Sequence, residues 1–120
     1  MATTSETNTY DGLVAGCFPI VTERVTIASG ANLTKGTILG VVTASGKYAA
    51  ADSTASAAGN NVPAAILLED AAAAAADAVA LVALTGEFNG AKLIAKRDGD
   101  TVSGFKAGLR AASIFVKSVV

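Results

Sequence analysis

The sequence lacks histidine and tryptophan, and it contains a single cysteine, Cys17. Histidine is the commonest general base and the commonest transition-metal ligand in proteins, so its absence argues against most hydrolytic and metal-dependent sites. One cysteine cannot form an internal disulfide bond, and we interpret Cys17 as a small buried hydrophobic residue rather than a nucleophile. The fold must therefore be stabilised by packing rather than by a disulfide bond.

Blocks of basic residues and long apolar runs are also missing. The lysines and arginines are scattered along the chain, which argues against nucleic acid as a partner. No apolar run approaches the roughly 20 residues of a membrane span, and the N-terminus lacks the pattern of a signal peptide. We therefore expect a soluble protein that is made in the cytosol and has no membrane partner.

The remaining polar patterns do not assemble a catalytic or ligand-binding site. Glu69 and Asp70 are adjacent, and neighbouring side chains on a strand point apart, so we interpret them as a solvated strand end. The "RDGD" stretch, residues 97–100, resembles the start of a calcium loop but lacks the later ligands, and a turn with a helix cap explains it better. We expect no enzyme activity, no cofactor, no metal and no small-molecule substrate.

The residues that are present predict one mostly β domain. The 120 residues suffice for one core, but alanine dominates and aromatic residues are few, so part of the stability is expected to come from association. Val21, Val25 and Ile27 alternate with polar residues, as in a strand with one buried face. Further short apolar strands are predicted at "TILGVVT", "KYAAA" and "VPAAILLED", separated by a tight turn at residues 44–46 and a loop at residues 51–61.

A helical period appears only near the C-terminus. Val102, Phe105 and Leu109 fall on one face and predict a helix over residues 101–111, followed by a terminal strand in "SIFVKSVV". Gly104, Gly108 and Ala112 form a second face with almost no side chains, which predicts close approach to another backbone.

Two segments allow two interpretations each. The alanine run Ala71–Ala76 favours a helix by propensity, but it is shorter than the roughly 12–15 residues that an isolated helix needs. The polar residues 2–11 are either a frayed terminus or an arm that becomes ordered on a partner.

The order of these segments resembles the head decoration proteins of lambda-like tailed phages. The resemblance extends from about Phe18 to Val120, and its most specific pieces are "NLTKGTILG", "AILLEDA" and "LTGEFN". It implies a compact small β-barrel or sandwich-like domain, residues 18–120, with one C-terminal helix and a flexible N-terminal arm, residues 1–17. It further implies that Glu69–Asp77 is a small-residue loop, with at most one helical turn, and that Ala78–Thr85 is a core strand.

The resemblance also implies the function. Members of this family are homotrimers that bind the major capsid protein at local threefold sites of the expanded head and stabilise the capsid against internal DNA pressure. By this likeness the protein is made in the host bacterial cytoplasm and is located on the outer surface of the virion capsid. The expected capsid-binding arm consists of nine residues: Thr3, Thr4, Ser5, Glu6, Thr7, Asn8, Thr9, Tyr10 and Asp11.

Two other functions stay open on the sequence alone. The "TIASGANLTKGTILGVV" segment resembles the strand–turn–strand pattern of biotinyl or lipoyl carrier modules, with Lys47 as the modified residue, although no methionine flanks it. A sugar-binding domain would need an aromatic platform, for which Tyr10, Tyr48 and Phe88 are the scattered candidates.

Overall fold

The computed structural model describes residues 20–55, 58–97 and 99–117. Nine strands and one α-helix occur in these ranges, so the mostly β fold with one C-terminal helix is confirmed. The expected arm, Cys17 and the boundary between residues 17 and 18 lie outside the described residues. The strands are β1 Thr22–Ile27, β2 Ala31–Leu33, β3 Ile38–Val41, β4 Tyr48–Ala50, β5 Pro63–Leu67, β6 Ala71–Ala73, β7 Ala78–Ala83, β8 Gly86–Asn89 and β9 Ile114–Lys117. A short 3-10 helix covers Gly90–Lys92, and α1 is Val102–Ala111.

Five strands close into a barrel in the order β1-β4-β3-β5-β7. Antiparallel pairing joins all of them except β1 and β4, which meet in parallel at Ile27 and Tyr48. The turn predicted at residues 44–46 connects β3 to β4, and Gly46 adopts a left-handed φ of 72° there. Two small sheets, β2–β6 and β8–β9, complete the fold.

Alternation along the strands produces two hydrophobic cores. Leu39 and Leu67 lie in the first core, together with buried residues of β1, β2, β6 and β7. Their neighbours Ile38 and Ile66 point to the opposite side of the sheet and contribute to a second core. Phe105 and Leu109 of α1 and Phe88 of β8 cover that second core, so the helix and the β8–β9 pair pack on the outside of the barrel.

The predicted helix and terminal strand are confirmed. Thr101 is the N-cap, and its side chain accepts a hydrogen bond from the backbone N–H of Gly104. The small face predicted on the helix is in close contact at Gly108, where a Cβ atom would lie 2.8 Å from Cγ of Pro63. Gly104 is exposed, so the prediction of close approach was wrong at that end of the face.

The alanine run differs from the loop that was expected. Ala71–Ala73 forms β6, which pairs antiparallel with Ala31–Leu33. Ala71 and Ala73 are buried, whereas Ala72 is exposed, as strand alternation requires. The run is therefore half strand and half bend, and contains no helical turn. The core strand that follows it, Ala78–Ala83, is confirmed.

One member of the predicted β1 face was also misplaced. Ile27 is buried and Val25 is half-buried, but Val21 lies before the strand and is 51% exposed. No helix in the described part of the chain is both long and apolar enough to cross a membrane.

Candidate capsid-binding face

The described chain begins beside the β8–β9 sheet. The N–H of Val21 donates to the hydroxyl of Thr85 at 3.1 Å, and the N–H of Leu84 donates to the carbonyl of Val21 at 2.7 Å. Ile20 packs over Gly86, where a Cβ atom would lie 3.1 Å from Ile20 Cγ1. Ile20, the first described residue, therefore lies next to the first residue of β8.

Gly86 is required at this point for two independent reasons. Its φ of 147° lies in a region that residues with a side chain rarely adopt, and a Cβ atom would also lie 3.0 Å from the ring of Phe88. Its role in holding the first described residues close to β8 becomes visible only in the structure.

The β8–β9 pair is parallel and is in register from Gly86 opposite Ile114 to Asn89 opposite Lys117. An ion pair crosses it, with Lys117 Nζ 2.9 Å from Glu87 Oε1. Between β9 and α1 runs a shallow groove of about 220 Å³, lined in part by Val102, Lys106 and Val116. This volume is below the roughly 300–1,000 Å³ of a typical small-molecule pocket.

The two carboxylates singled out in the sequence point apart and bind different parts of the fold. Glu69 Oε2 accepts a hydrogen bond from the N–H of Leu81 at 2.9 Å and lies 3.3 Å from Arg24 Nη1. Asp70 Oδ1 accepts from the N–H of Lys35 at 2.8 Å. They are not a catalytic pair, and their hydrogen bonds to distant backbone groups were not predicted.

The "RDGD" stretch ties the loop after β4 to the start of α1. Asp100 accepts from the N–H of Ser53 at 3.0 Å, and Arg97 Nε lies 3.2 Å from Asp52 Oδ1. The pKa of Asp100 is lowered, chiefly because its carboxylate accepts hydrogen bonds from the hydroxyl and then the N–H of Ser53. Hydrogen bonds from the hydroxyl and N–H of Thr54 lower the pKa of Asp52 in the same way. These contacts hold the two loops together, and the described residues contain no group of His, Cys, Asp and Glu that could hold a metal ion.

The residues proposed for other functions occupy structural positions. Lys47 follows the β3–β4 turn, and its ammonium donates a hydrogen bond to Asp77. That contact is the main reason why the pKa of Asp77 is lowered. Phe88 is fully buried in the second core, and Tyr48 is half-buried beside the first, so neither forms an exposed aromatic platform.

Comparison with known protein families identifies the relationship. A search of curated proteins finds no match to the sequence. A family model for the bacteriophage lambda head decoration protein D matches residues 2–114, which include the polar N-terminal segment, the barrel, α1 and the first residue of β9. The chain is therefore a member of the head decoration protein D family of bacteriophage lambda, whose role is decoration of the phage capsid.

Proposed function

We propose that this protein cements the expanded phage head as a homotrimer that sits at local threefold sites on the outer surface of the capsid, after synthesis in the host bacterial cytoplasm. The family match over residues 2–114 carries the proposal, because it covers the arm as well as the folded body. The role is structural and non-enzymatic. A cement needs a rigid body, self-association and backbone that can join a partner, and it needs no reactive side chain.

The arm Thr3–Asp11 is the proposed capsid-binding element. It is rich in threonine and serine and poor in apolar residues, so it gains little by folding back onto its own core. An extended segment of this kind binds by adding a strand to an exposed sheet edge, where main-chain hydrogen bonds supply the affinity. In this mechanism the arm pairs with the major capsid protein.

Trimer formation allows tight binding to the capsid even where each arm binds weakly by itself. Once one arm of a trimer is bound, the other two bind at a high effective concentration, and the overall affinity can exceed that of one arm by about 10²–10⁴. The large exposed valines Val21, Val62 and Val79, at 51%, 58% and 62% exposure, are candidates for burial between subunits. Burial there would supplement two cores that contain few aromatic side chains.

Preference for the expanded head explains the stabilisation. A ligand that binds one state of a lattice and not the other shifts the equilibrium toward the bound state by mass action. A trimer that spans capsid subunits only in their expanded arrangement therefore opposes both contraction and rupture. Internal DNA pressure then acts against three bound arms per site.

The arm is tested by substitutions that keep its length. We expect Thr7→Pro with Thr9→Pro to abolish binding to purified expanded heads, because proline has no N–H to donate to a neighbouring strand. The control, Thr7→Ser with Thr9→Ser, keeps both donors and should bind like the wild type. Deletion of Ala2–Tyr10 should also abolish binding while leaving the circular dichroism spectrum of the body unchanged. Normal decoration by the proline and deletion variants would refute the role of the arm.

A further inference from the structure

Two connections between barrel strands pair with each other outside the barrel. Ala31–Leu33 belongs to the connection from β1 to β3, and Ala71–Ala73 belongs to the connection from β5 to β7. Within the described part of the chain, these two strands form a sheet of their own and are not members of the closed barrel. We call residues 29–35 and 70–77 the strap sheet, because each connection is attached to the barrel at both of its ends.

The strap sheet covers the first core with one face. Leu33 lies opposite Ala71, and both are buried in that core together with Ala73. Asn32 and Ala72, the next pair along the ladder, are exposed on the other face. Leu33 is the one large apolar residue in the strap sheet. Since burial free energy scales with apolar area, the contact that holds this sheet on the core is small.

Two carboxylates fix the two ends of the pairing. Asp70 Oδ1 accepts a hydrogen bond from the N–H of Lys35 at 2.8 Å, at the end where β2 finishes and β6 begins. Asp77 Oδ1 accepts from the N–H of Ser29 at 2.9 Å, at the opposite end. Asp77 also accepts a hydrogen bond from the ammonium of Lys47, which follows the β3–β4 turn of the barrel. Each carboxylate therefore ties the two connections together, and Asp77 also ties them to the barrel.

Glycines with a positive φ stand at both ends of β2. Gly30 has a φ of 131° and Gly36 has a φ of 97°. A Cβ atom at Gly30 would meet no atom within 4 Å, so the backbone angle and not close packing explains this glycine. Segments of a protein move about a few residues at the ends of elements that absorb changes in φ and ψ. The connection from β1 to β3 has such a residue on each side of its strand.

Backbone hydrogen bonds of the barrel mark the limits of the strap sheet. The N–H of Ala28 donates to the first residue of β4 at 2.7 Å, and the N–H of Gly36 donates to the last residue of β5 at 2.8 Å. Both bonds lie outside the strap sheet and stay intact when it detaches. The hydroxyl of Thr37 donates to the carbonyl of Thr34 at 2.7 Å and holds the base of the connection from β1 to β3.

We propose that the strap sheet is a lid over the first core, which detaches and closes as one unit while the five-strand barrel stays intact. Asp70 and Asp77 are its latches, and Gly30 and Gly36 are the hinges of β2. A two-stranded sheet is only marginally stable by itself, and parts of a fold with few buried apolar contacts open first. The lid is a property of the folded body, so it does not depend on the proposed capsid role.

Amide hydrogen exchange of the full-length protein, followed by NMR at neutral pH, tests the lid. The reporters are the amides of Gly30, Lys35 and Ala74, which all donate within the strap sheet. The reference is the amides of the β1–β7 ladder. We expect the reporters to exchange at least about tenfold faster than the reference, at a rate that low urea does not change, because a local opening exposes little surface. One shared rate with one urea dependence would overturn the inference.

Removal of a latch tests its assignment. Asp77→Ala should raise the exchange rates of the reporters about tenfold and change those of the reference by less than about twofold, because only the closed lid loses the hydrogen bonds to this carboxylate. Asp77→Asn keeps an oxygen acceptor for the N–H of Ser29 and should have a smaller effect. An equal rise in reporters and reference would show that the strap sheet opens only with the whole body, and unchanged reporter rates would show that Asp77 is not a latch.

A matched control comes from another carboxylate that joins two loops. Asp100 accepts a backbone N–H and forms an ion pair, as Asp77 does, but it ties the loop after β4 to the start of α1. Asp100→Ala should leave the ratio of reporter to reference rates unchanged, and a rise in that ratio as large as that of Asp77→Ala would refute the latch. If Asp77→Ala does not fold, Asn32→Ala removes the acceptor of Ala74 at an exposed position and should raise the same ratio.

Discussion

The contact between Gly108 and Pro63 allows a sharp test of how the helix docks on the barrel. A Cβ atom at position 108 would lie 2.8 Å from Cγ and 2.9 Å from Cδ of Pro63, closer than real Cβ contacts. Alanine in place of glycine inside a helix normally stabilises it by about 1 kcal/mol. Overpacking against a rigid ring costs about 1–3 kcal/mol, so we expect Gly108→Ala to destabilise the protein by about 1 kcal/mol.

The exposed glycine of the same helix supplies the control. At Gly104 a Cβ atom would meet only the Thr101 hydroxyl, at 3.3 Å. Gly104→Ala should therefore keep most of the propensity gain, which places the two variants about 2 kcal/mol apart. For a domain of this size that difference corresponds to roughly 8 °C in Tm.

Thermal unfolding followed by circular dichroism, at one fixed protomer concentration, measures this difference. The fixed concentration matters because association shifts the apparent Tm by mass action. Gly108→Leu should lower the Tm further than Gly108→Ala. A Gly108→Ala protein as stable as Gly104→Ala would show that the helix does not dock on Pro63, and the assignment of the second core would fail.

Two further predictions concern the carboxylates. Hydrogen bonds hold the pKa values of Asp52 and Asp100 below their ordinary range. The two ionised carboxylates therefore contribute stability that is fully present above about pH 4 and is lost as the pH falls through the lowered pKa values. The urea midpoint of the wild type should decline between about pH 4 and pH 2, and the decline should be shallower for Asp100→Asn. An equal decline in the wild type and the variant would contradict a contribution from the lowered pKa of Asp100. Glu69→Ala should lower the free energy of unfolding by about 1 kcal/mol, because the partly buried N–H of Leu81 loses its acceptor. Arg24→Ala should lower it by less than about 0.5 kcal/mol, because the ion pair of Arg24 is exposed. Equal urea midpoints for these two variants would count against the hydrogen bond.

Local sequence patterns predicted the helix and the turn, because each of these elements is defined by contacts between residues that are close together in the chain. The helix over residues 101–111 has an apolar face of period 3.6, and the turn at residues 44–46 has a glycine that adopts a left-handed φ. The strand Ala78–Ala83, by contrast, was expected only from the family resemblance, because a continuous apolar run of that length fits a buried helix as well as a buried strand. The expectation for the fold class followed from these elements together with the family resemblance.

Long-range pairing determined what the sequence did not reveal. Ala71–Ala73 is a strand only because Ala31–Leu33 lies beside it, and this pairing overrides the helix propensity of alanine. The parallel contact between Ile27 and Tyr48 that closes the barrel has no local signature, and neither has the parallel β8–β9 pair. The close packing of Ile20 on Gly86 likewise depends on residues far apart in the chain.

The central claim is that this protein binds the expanded head as a trimer at threefold sites. Image reconstruction of purified expanded heads, with and without the added protein, tests it most directly. The account predicts extra density of three bodies at the local threefold positions on the outer surface, and the loss of that density when Ala2–Tyr10 is deleted. Density at other lattice positions, monomeric density, or density that persists without the arm would contradict it.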